Sequence, residues 1–279
     1  MLREVEGRLR TGTMPGRLWI RNGRAVGLVL WEPPDALGIT VRFCLLLPED
    51  GSSPPYDELF RALAGVAGPI AFIGPVPDLS GQDGIGVMAS VGFAPFHRSE
   101  MHFPPAARPP SGDAPPGISV RPMAASDLAA VVRIHASAYA AHFDRYLFFE
   151  DSDPERDAEK AVGSLIRGHW GEFLPSVSRV AEAGDAQVGA TVVVRSEGRA
   201  LIADVAVDPA FQGQGIGRVL LTSTLEALRA RRESVIALAV TEENRRATRL
   251  YERLGFVRAR GPERRWYNPR VIPVAPGPG

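Results

Sequence analysis

Arg199-Ala200-Leu201-Ile202-Ala203-Asp204-Val205-Ala206-Val207-Asp208-Pro209-Ala210-Phe211-Gln212-Gly213-Gln214-Gly215-Ile216-Gly217-Arg218 decides the fold. Its first nine residues have the short period of a strand, and the segment from about Gly215 to Arg232 sets Ile216, Val219, Leu220, Leu225 and Leu228 on one helical stripe. A strand that passes through glycines straight into a helix leaves the first-turn N–H groups without partners at the positive end of the helix dipole. Such a junction is an anion site. Glycines at 213, 215 and 217 remove Cβ atoms that would keep a diphosphate from the backbone, and Arg218 adds charge at the helix start.

Outward from this junction the elements alternate. Upstream, Arg179 to Ala183, a Gly184-Asp185 turn, Gln187 to Arg195 and a Ser196-Glu197-Gly198 turn make an antiparallel meander with Arg199 to Val207. Before it stand a strand at Ile118 to Pro122, a helix capped by Ser126 and running to about Ala141, and a second helix from about Pro154 to Gly168. Downstream come a strand at Val235 to Val240, a helix at Asn244 to Leu254, and a closing strand pair from Val257. The meander and the Gly-x-Gly-x-Gly spacing speak against a dinucleotide turn, which needs a βαβ unit of a parallel sheet. A P-loop needs a lysine after its glycines, and Lys160 is the sole lysine of the chain. On the loop alone, a purely structural glycine turn is the alternative.

Val205-Ala206-Val207-Asp208-Pro209, then Gln212-x-x-Gly215-x-Gly217, then Asn244 and Tyr251-Glu252-Arg253-Leu254-Gly255-Phe256, resemble the two signature blocks of the GNAT N-acetyltransferase superfamily, over about Ile118 to Tyr267. The resemblance implies an acetyl-coenzyme A site where the strand ending at Val207 splays from the strand at Val235 to Val240. In it the backbone of Val205, Ala206 and Val207 bonds pantetheine. The amides of Gly213, Gln214, Gly215, Ile216, Gly217 and Arg218, behind Gln212, take the diphosphate. It further implies Tyr251 as general acid toward the sulfur, Ala247 as a small residue beside the cofactor arm, Asn244 as both helix cap and cofactor contact, and direct attack by an amine. Tyr251 as a packing residue is the alternative. Asp204 is the candidate base, with a solvated strand carboxylate as the other reading. His135, Tyr139, His142, Tyr146 and Glu150 lie where relatives form the acceptor site, and each is read as ordinary rather than catalytic. The strand Ile236-Ala237-Leu238-Ala239-Val240 carries no glutamate, which speaks against protein N-terminal acetylation.

The first part of the chain repeats the later pattern. Arg17 to Arg21, an Asn22-Gly23 turn, Ala25 to Trp31 and Ile39 to Leu47 form another meander, followed by a helix near Tyr56 to Ala64, a strand at Ile70 to Ile73 and a helix near Gly84 to Val91. Val91-Gly92-Phe93 stands where Leu254-Gly255-Phe256 stands. Its loop, Glu49-Asp50-Gly51-Ser52-Ser53-Pro54-Pro55, has two carboxylates and two prolines without N–H, and Met88 takes the place of Tyr251. The expected fold is therefore α/β (α+β): two GNAT-like domains, each a mixed, mostly antiparallel sheet flanked by helices. They are a degenerate one at 1–103 and a catalytic one at 118–271, with a proline-rich linker at 104–117 and a tail at 272–279. A tandem with one degenerate half also resembles mycothiol synthases.

Charge balances at 32 basic and 32 acidic residues, so neither nucleic acid nor a membrane is an expected partner; the resemblance implies a small-molecule amine. The single cysteine, Cys44, lies in an apolar run and reads as a small core residue, and no metal is expected. The first ten residues hold three arginines and two glutamates without an apolar stretch behind them, so a cytoplasmic monomer or homodimer is expected.

Overall fold

The computed structural model describes residues 15–21, 24–31, 39–46, 60, 61, 63–65, 70–74, 82–110, 113–148 and 153–277. The chain divides into two compact units: Met1–His97 with Glu263–Ala275, and Arg98–Pro262 with Pro276–Gly279. The sequence sets the break at the linker instead. Strand pairing explains the difference, because Arg98–Phe103 have an ordered antiparallel register with the strand at 236–241 and so count with the second unit.

In the first unit, β1 (Gly16–Arg21), β2 (Arg24–Trp31) and β3 (Ile39–Leu46) pair antiparallel in that order. β4 (Ile70–Ile73) then pairs parallel with β3. Helix α1 (Gln82–Ser90) follows. Val29, Trp31, Val41, Phe60, Leu63, Ile73, Met88, Phe93 and Trp266 make one core. Met88 is fully buried there, as an apolar residue in the tyrosine's position should be. The loop at 49–55 and the Asn22-Gly23 turn lie outside the described residues, as do most of the expected helix near 56–64 and the side chain of Cys44.

β5 (Ala94–Phe103) and β6 (Ile118–Pro122) lead into the second unit. Helix α2 is Leu128–Tyr139, α3 is Arg145–Phe148 and α4 is Pro154–Ile166. Ser126 does not cap α2. A 3₁₀ turn at Ala125–Asp127 precedes it, and Asp127 accepts the Ala124 N–H at 2.7 Å and both guanidinium nitrogens of Arg121 at 2.7 Å. Short β7 (Glu172–Phe173) pairs with β9. β8 (Arg179–Ala183), β9 (Ala186–Ser196) and β10 (Arg199–Val207) form the expected meander. After it come α5 (Ile216–Ala230), β11 (Ile236–Thr241), α6 (Arg245–Leu254) and β12 (Val257–Tyr267). β12 is one long strand rather than a closing pair.

The sheet of the second unit runs β5-β11-β10-β9-β8-β6, antiparallel except between β10 and β11. Consecutive strand residues point to opposite faces, and both faces are covered. Val180 and Val192 meet Val131 of α2 and Val162 of α4 on one side. Val193 and Ile202 meet Leu221, Leu225 and Leu228 of α5 on the other. Among the described residues no helix is long and apolar enough to cross a membrane.

Candidate active site

The site begins where the sheet opens. β10 pairs with β11 only at Ala200↔Ile236 and Leu201↔Ala237, so the β11-facing edge of β10 beyond Leu201 has no ladder partner. On its other side the β9 register shifts between Ile202 and Asp204, leaving Ala203 as the bulged residue. A bulge bends and twists its strand, which turns β10 away from β11. The gap widens into a cleft of about 1320 Å³ lined by Asp204, Val205, Val207, Gly213, Gly215 and Tyr251, among others.

At the end of β10, Asp208 accepts the Ala210 N–H at 3.0 Å and starts the turn Pro209–Phe211. Gln212 serves the loop through its side chain: its Nε2 donates to the Val207 carbonyl at 3.0 Å, and its Oε1 accepts from Arg246 at 2.7 Å. Gly213 and Gly215 sit at φ +80° and +86°, the left-handed region that favours glycine. The first backbone bond of α5 is Val219 N–H to Gly215 O at 3.1 Å. The six N–H groups from Gly213 to Arg218 therefore have no partner among the described residues.

The residues of the junction differ in what their side chains meet. A Cβ at Gly217 would meet Leu250 at 3.4 Å, so this glycine, which lines the cleft, sits where α5 meets α6. Gln214 is exposed and absent from the cleft wall, its Nε2 reaching the Ala210 carbonyl at 3.4 Å. Ala206, on the alternate face of β10, is buried away from the cleft and could serve a ligand only through its backbone. Arg218 lines the cleft and donates to the Asp113 carbonyl at 3.0 Å.

The polar centre sits at the other end. Asn244 caps α6, accepting the Ala247 N–H at 3.0 Å, with Ala247 and Tyr251 one turn apart on the cleft wall. Tyr251 packs its ring near Phe256, 5.9 Å between centroids, and its hydroxyl has no hydrogen-bond partner among the described residues. Burial, then the carboxylates of Asp144 and Asp204, push its pKa well above 10, with Arg98 opposing. It stays a neutral phenol.

Asp204 is no solvated strand carboxylate: it is 4% exposed. Its Oδ2 lies 2.8 Å from His135 Nδ1, and its Oδ1 accepts from the Tyr139 hydroxyl at 3.2 Å. The two rings stack with centroids 4.5 Å apart. Burial first, then Asp204, Tyr251 and Asp144, raise the Tyr139 pKa well above its usual value. His135 and Tyr139, read as ordinary from sequence, are thus joined to the one carboxylate proposed as base. Their i,i+4 spacing, which sets both on one helix face, is the signal that could have found them.

On the opposite bank, sequence reasoning named His142 and Asn244 but missed Asp144, Thr241 and Arg98. Asp144 is buried, accepts from Thr241 Oγ1, and lies 3.8 Å from Arg98, which also donates to Thr241 at 3.0 Å. His142 receives the Asp144 N–H at 3.0 Å and lies 3.1 Å from Asn244 Nδ2. These residues come from β5, the loop after α2, and the end of β11. No local motif links them. Tyr146 stays outside the cleft beside Arg145, and Glu150 is not among the described residues.

Residues 136–256 match the acetyltransferase (GNAT) family. A mycothiol acetyltransferase of Kineococcus radiotolerans is 35% identical over 144 residues, 51% of this chain and 44% of that protein. The chain thus spans about half the length of the curated relatives it matches. Among solved structures, a GCN5-related N-acetyltransferase from Sphaerobacter thermophilus superposes with a TM-score of 0.63 at 18% identity, covering 90% of this chain and 78% of the other. A tandem GNAT protein from the clavulanic acid biosynthesis pathway gives 0.51 at 16%, covering 95% and 85%. The fold is shared with both.

Proposed function

We propose that the second unit, whose residues 136–256 match the acetyltransferase (GNAT) family, is an acetyl-coenzyme A-dependent N-acetyltransferase acting on a primary amine of a small molecule. One observation carries this: the loop from Gly213 to Arg218, whose N–H groups have no partner among the described residues, borders a cleft shared with the unpaired edge of β10 and the neutral phenol of Tyr251. Acetyl-coenzyme A supplies an activated thioester. The loop from Gly213 to Arg218 suits its diphosphate, since a convergent set of N–H groups at a helix start favours an anion. The open edge from Val205 to Val207 suits its amide-bearing arm and offers N–H to a developing oxyanion. Tyr251 then gives its proton to the departing sulfur. Asp204 belongs to the same centre on the amine side.

The likeness to mycothiol acetyltransferases favours, as a second reading, the amine that those enzymes acetylate. The deciding experiment offers acetyl-coenzyme A with amino acids, polyamines, aminoglycosides, peptides and that amine, and reads free thiol. Amine-dependent release supports the proposal. Tight coenzyme A binding with no release for any amine would make the unit a sensor or scaffold.

A further inference from the structure

Two phenols face the same cleft, and their hydrogen bonds give them opposite polarity. Tyr139 donates its proton to Asp204 Oδ1 at 3.2 Å, while the other oxygen of that carboxylate is taken by His135 Nδ1 at 2.8 Å. With its O–H so committed, the Tyr139 hydroxyl can meet a ligand in the cleft only through its oxygen lone pairs. Tyr251 donates to no described residue, so its O–H is available to a ligand. One phenol is set to accept and the other to give.

We infer that Tyr139 receives the acceptor amine: its oxygen takes a hydrogen bond from the amine N–H and passes the proton to Asp204 as the C–N bond forms. This rests on the acetyltransferase reading above. Asp204 and His135 act through Tyr139, as positioning residues and as the store for the proton.

The step balances. Nitrogen bonds to the acetyl carbon and the C–S bond breaks. The N–H proton moves to the Tyr139 oxygen while the phenolic proton moves to Asp204, and sulfur takes the proton of Tyr251. Water afterwards removes the proton from Asp204 and restores the one on Tyr251, so amine plus thioester become amide plus thiol. Neither phenol ionises beforehand, since burial and the nearby carboxylates hold both in the neutral form. The charged or titratable groups about Tyr139 include His135 on its own helix, Asp204 on β10, Tyr251 on α6, and His142 and Asp144 in the following loop, His142 edge-on to the Tyr139 ring at 5.8 Å between centroids and Asp144 beside Arg98 of β5. A substrate for this arrangement carries a primary or secondary amine; a tertiary amine has no N–H for the accepting oxygen to hold.

The test is Tyr139→Phe, which keeps the stacked ring, measured against wild type with the best amine of the panel. Coenzyme A affinity should stay within about twofold, while kcat at neutral pH falls roughly 10²-fold, the low end for general acid–base help. The deficit should narrow as pH rises and hydroxide takes over as base. Asp204→Asn should show the same pH-dependent deficit, which a merely structural loss would not. A Tyr139→Phe variant turning over at the wild-type rate at all pH values overturns this inference alone. A deficit independent of pH, or a matching fall in coenzyme A affinity, also overturns it. A wild-type chain that binds coenzyme A yet acetylates no amine overturns the underlying reading together with this one.

Discussion

Tyr251 suits the proposed role of acid because its hydroxyl is neutral and uncommitted among the described residues. A thiol has a pKa near ~8.5, so protonating its anion helps less than protonating an alkoxide would. Tyr251→Phe should therefore lower kcat by only about 10²-fold, with coenzyme A affinity and folding little changed; single-turnover kinetics would check this, and an unchanged chemical step would return Tyr251 to packing. Its ionisation gives a second prediction. Burial raises the folded-state pKa above the unfolded value near 10, so the protonated form is favoured by folding. That stability is present in full below about pH 10 and is lost as pH rises further. The tyrosinate absorbance that wild type has and Tyr251→Phe lacks should stay absent up to about pH 11; a difference titrating near the ordinary tyrosine value would contradict the burial argument. The glycine loop was legible in sequence from its local physics, and Tyr251 and Asn244 were singled out by the resemblance of the short runs that hold them. Asp144, Thr241 and Arg98 were not, because only the folded sheet brings three separate segments together.

The strand–loop–helix junction shows how much of an element local sequence dictates. The bounds of β10 and the start of α5 follow from alternation and from a glycine able to hold φ +86°. The division of labour among the glycines does not, since it depends on what each Cβ would touch. At Gly215 any side chain meets backbone strain, so a valine there would test the conformation as much as the ligand. Gly215→Ala is expected to cost about 1–2 kcal/mol of stability from the left-handed geometry alone. The ligand contribution can be separated by calorimetry: coenzyme A should bind more than tenfold weaker, while pantetheine, which lacks the diphosphate, should bind as it does to wild type. Equal losses for both would mean that the loop is only a turn. The cap of α2 was misread for a similar reason. Ser126 is a good cap by type, yet Asp127 has the Arg121 fork and the Ala124 N–H within 2.7 Å, and that set of charge-assisted bonds decides the local geometry.

At the scale of the molecule, the internal repetition read from the sequence reappears as the same strand grammar in each unit: an antiparallel meander followed by a parallel neighbour, β3 with β4 and β10 with β11. The proline-rich stretch marks where the backbone forms no ladder, but unit membership follows strand pairing and core burial, which assign Arg98–Phe103 to the second unit and Trp266 to the first. Met88, fully buried in the first core, leaves that unit without a phenol at the place of Tyr251. Calorimetry should accordingly give one coenzyme A per chain, and two sites of similar affinity would show that the first unit has kept its own. The unpaired edge of β10 has a consequence of another kind. A ligand arm lying there acts as a surrogate strand, read by main-chain groups that every amino acid except proline carries alike. Recognition of this kind is deaf to side-chain identity: Val205 can drift among β-branched and aliphatic residues without loosening the arm, and only a proline would silence it.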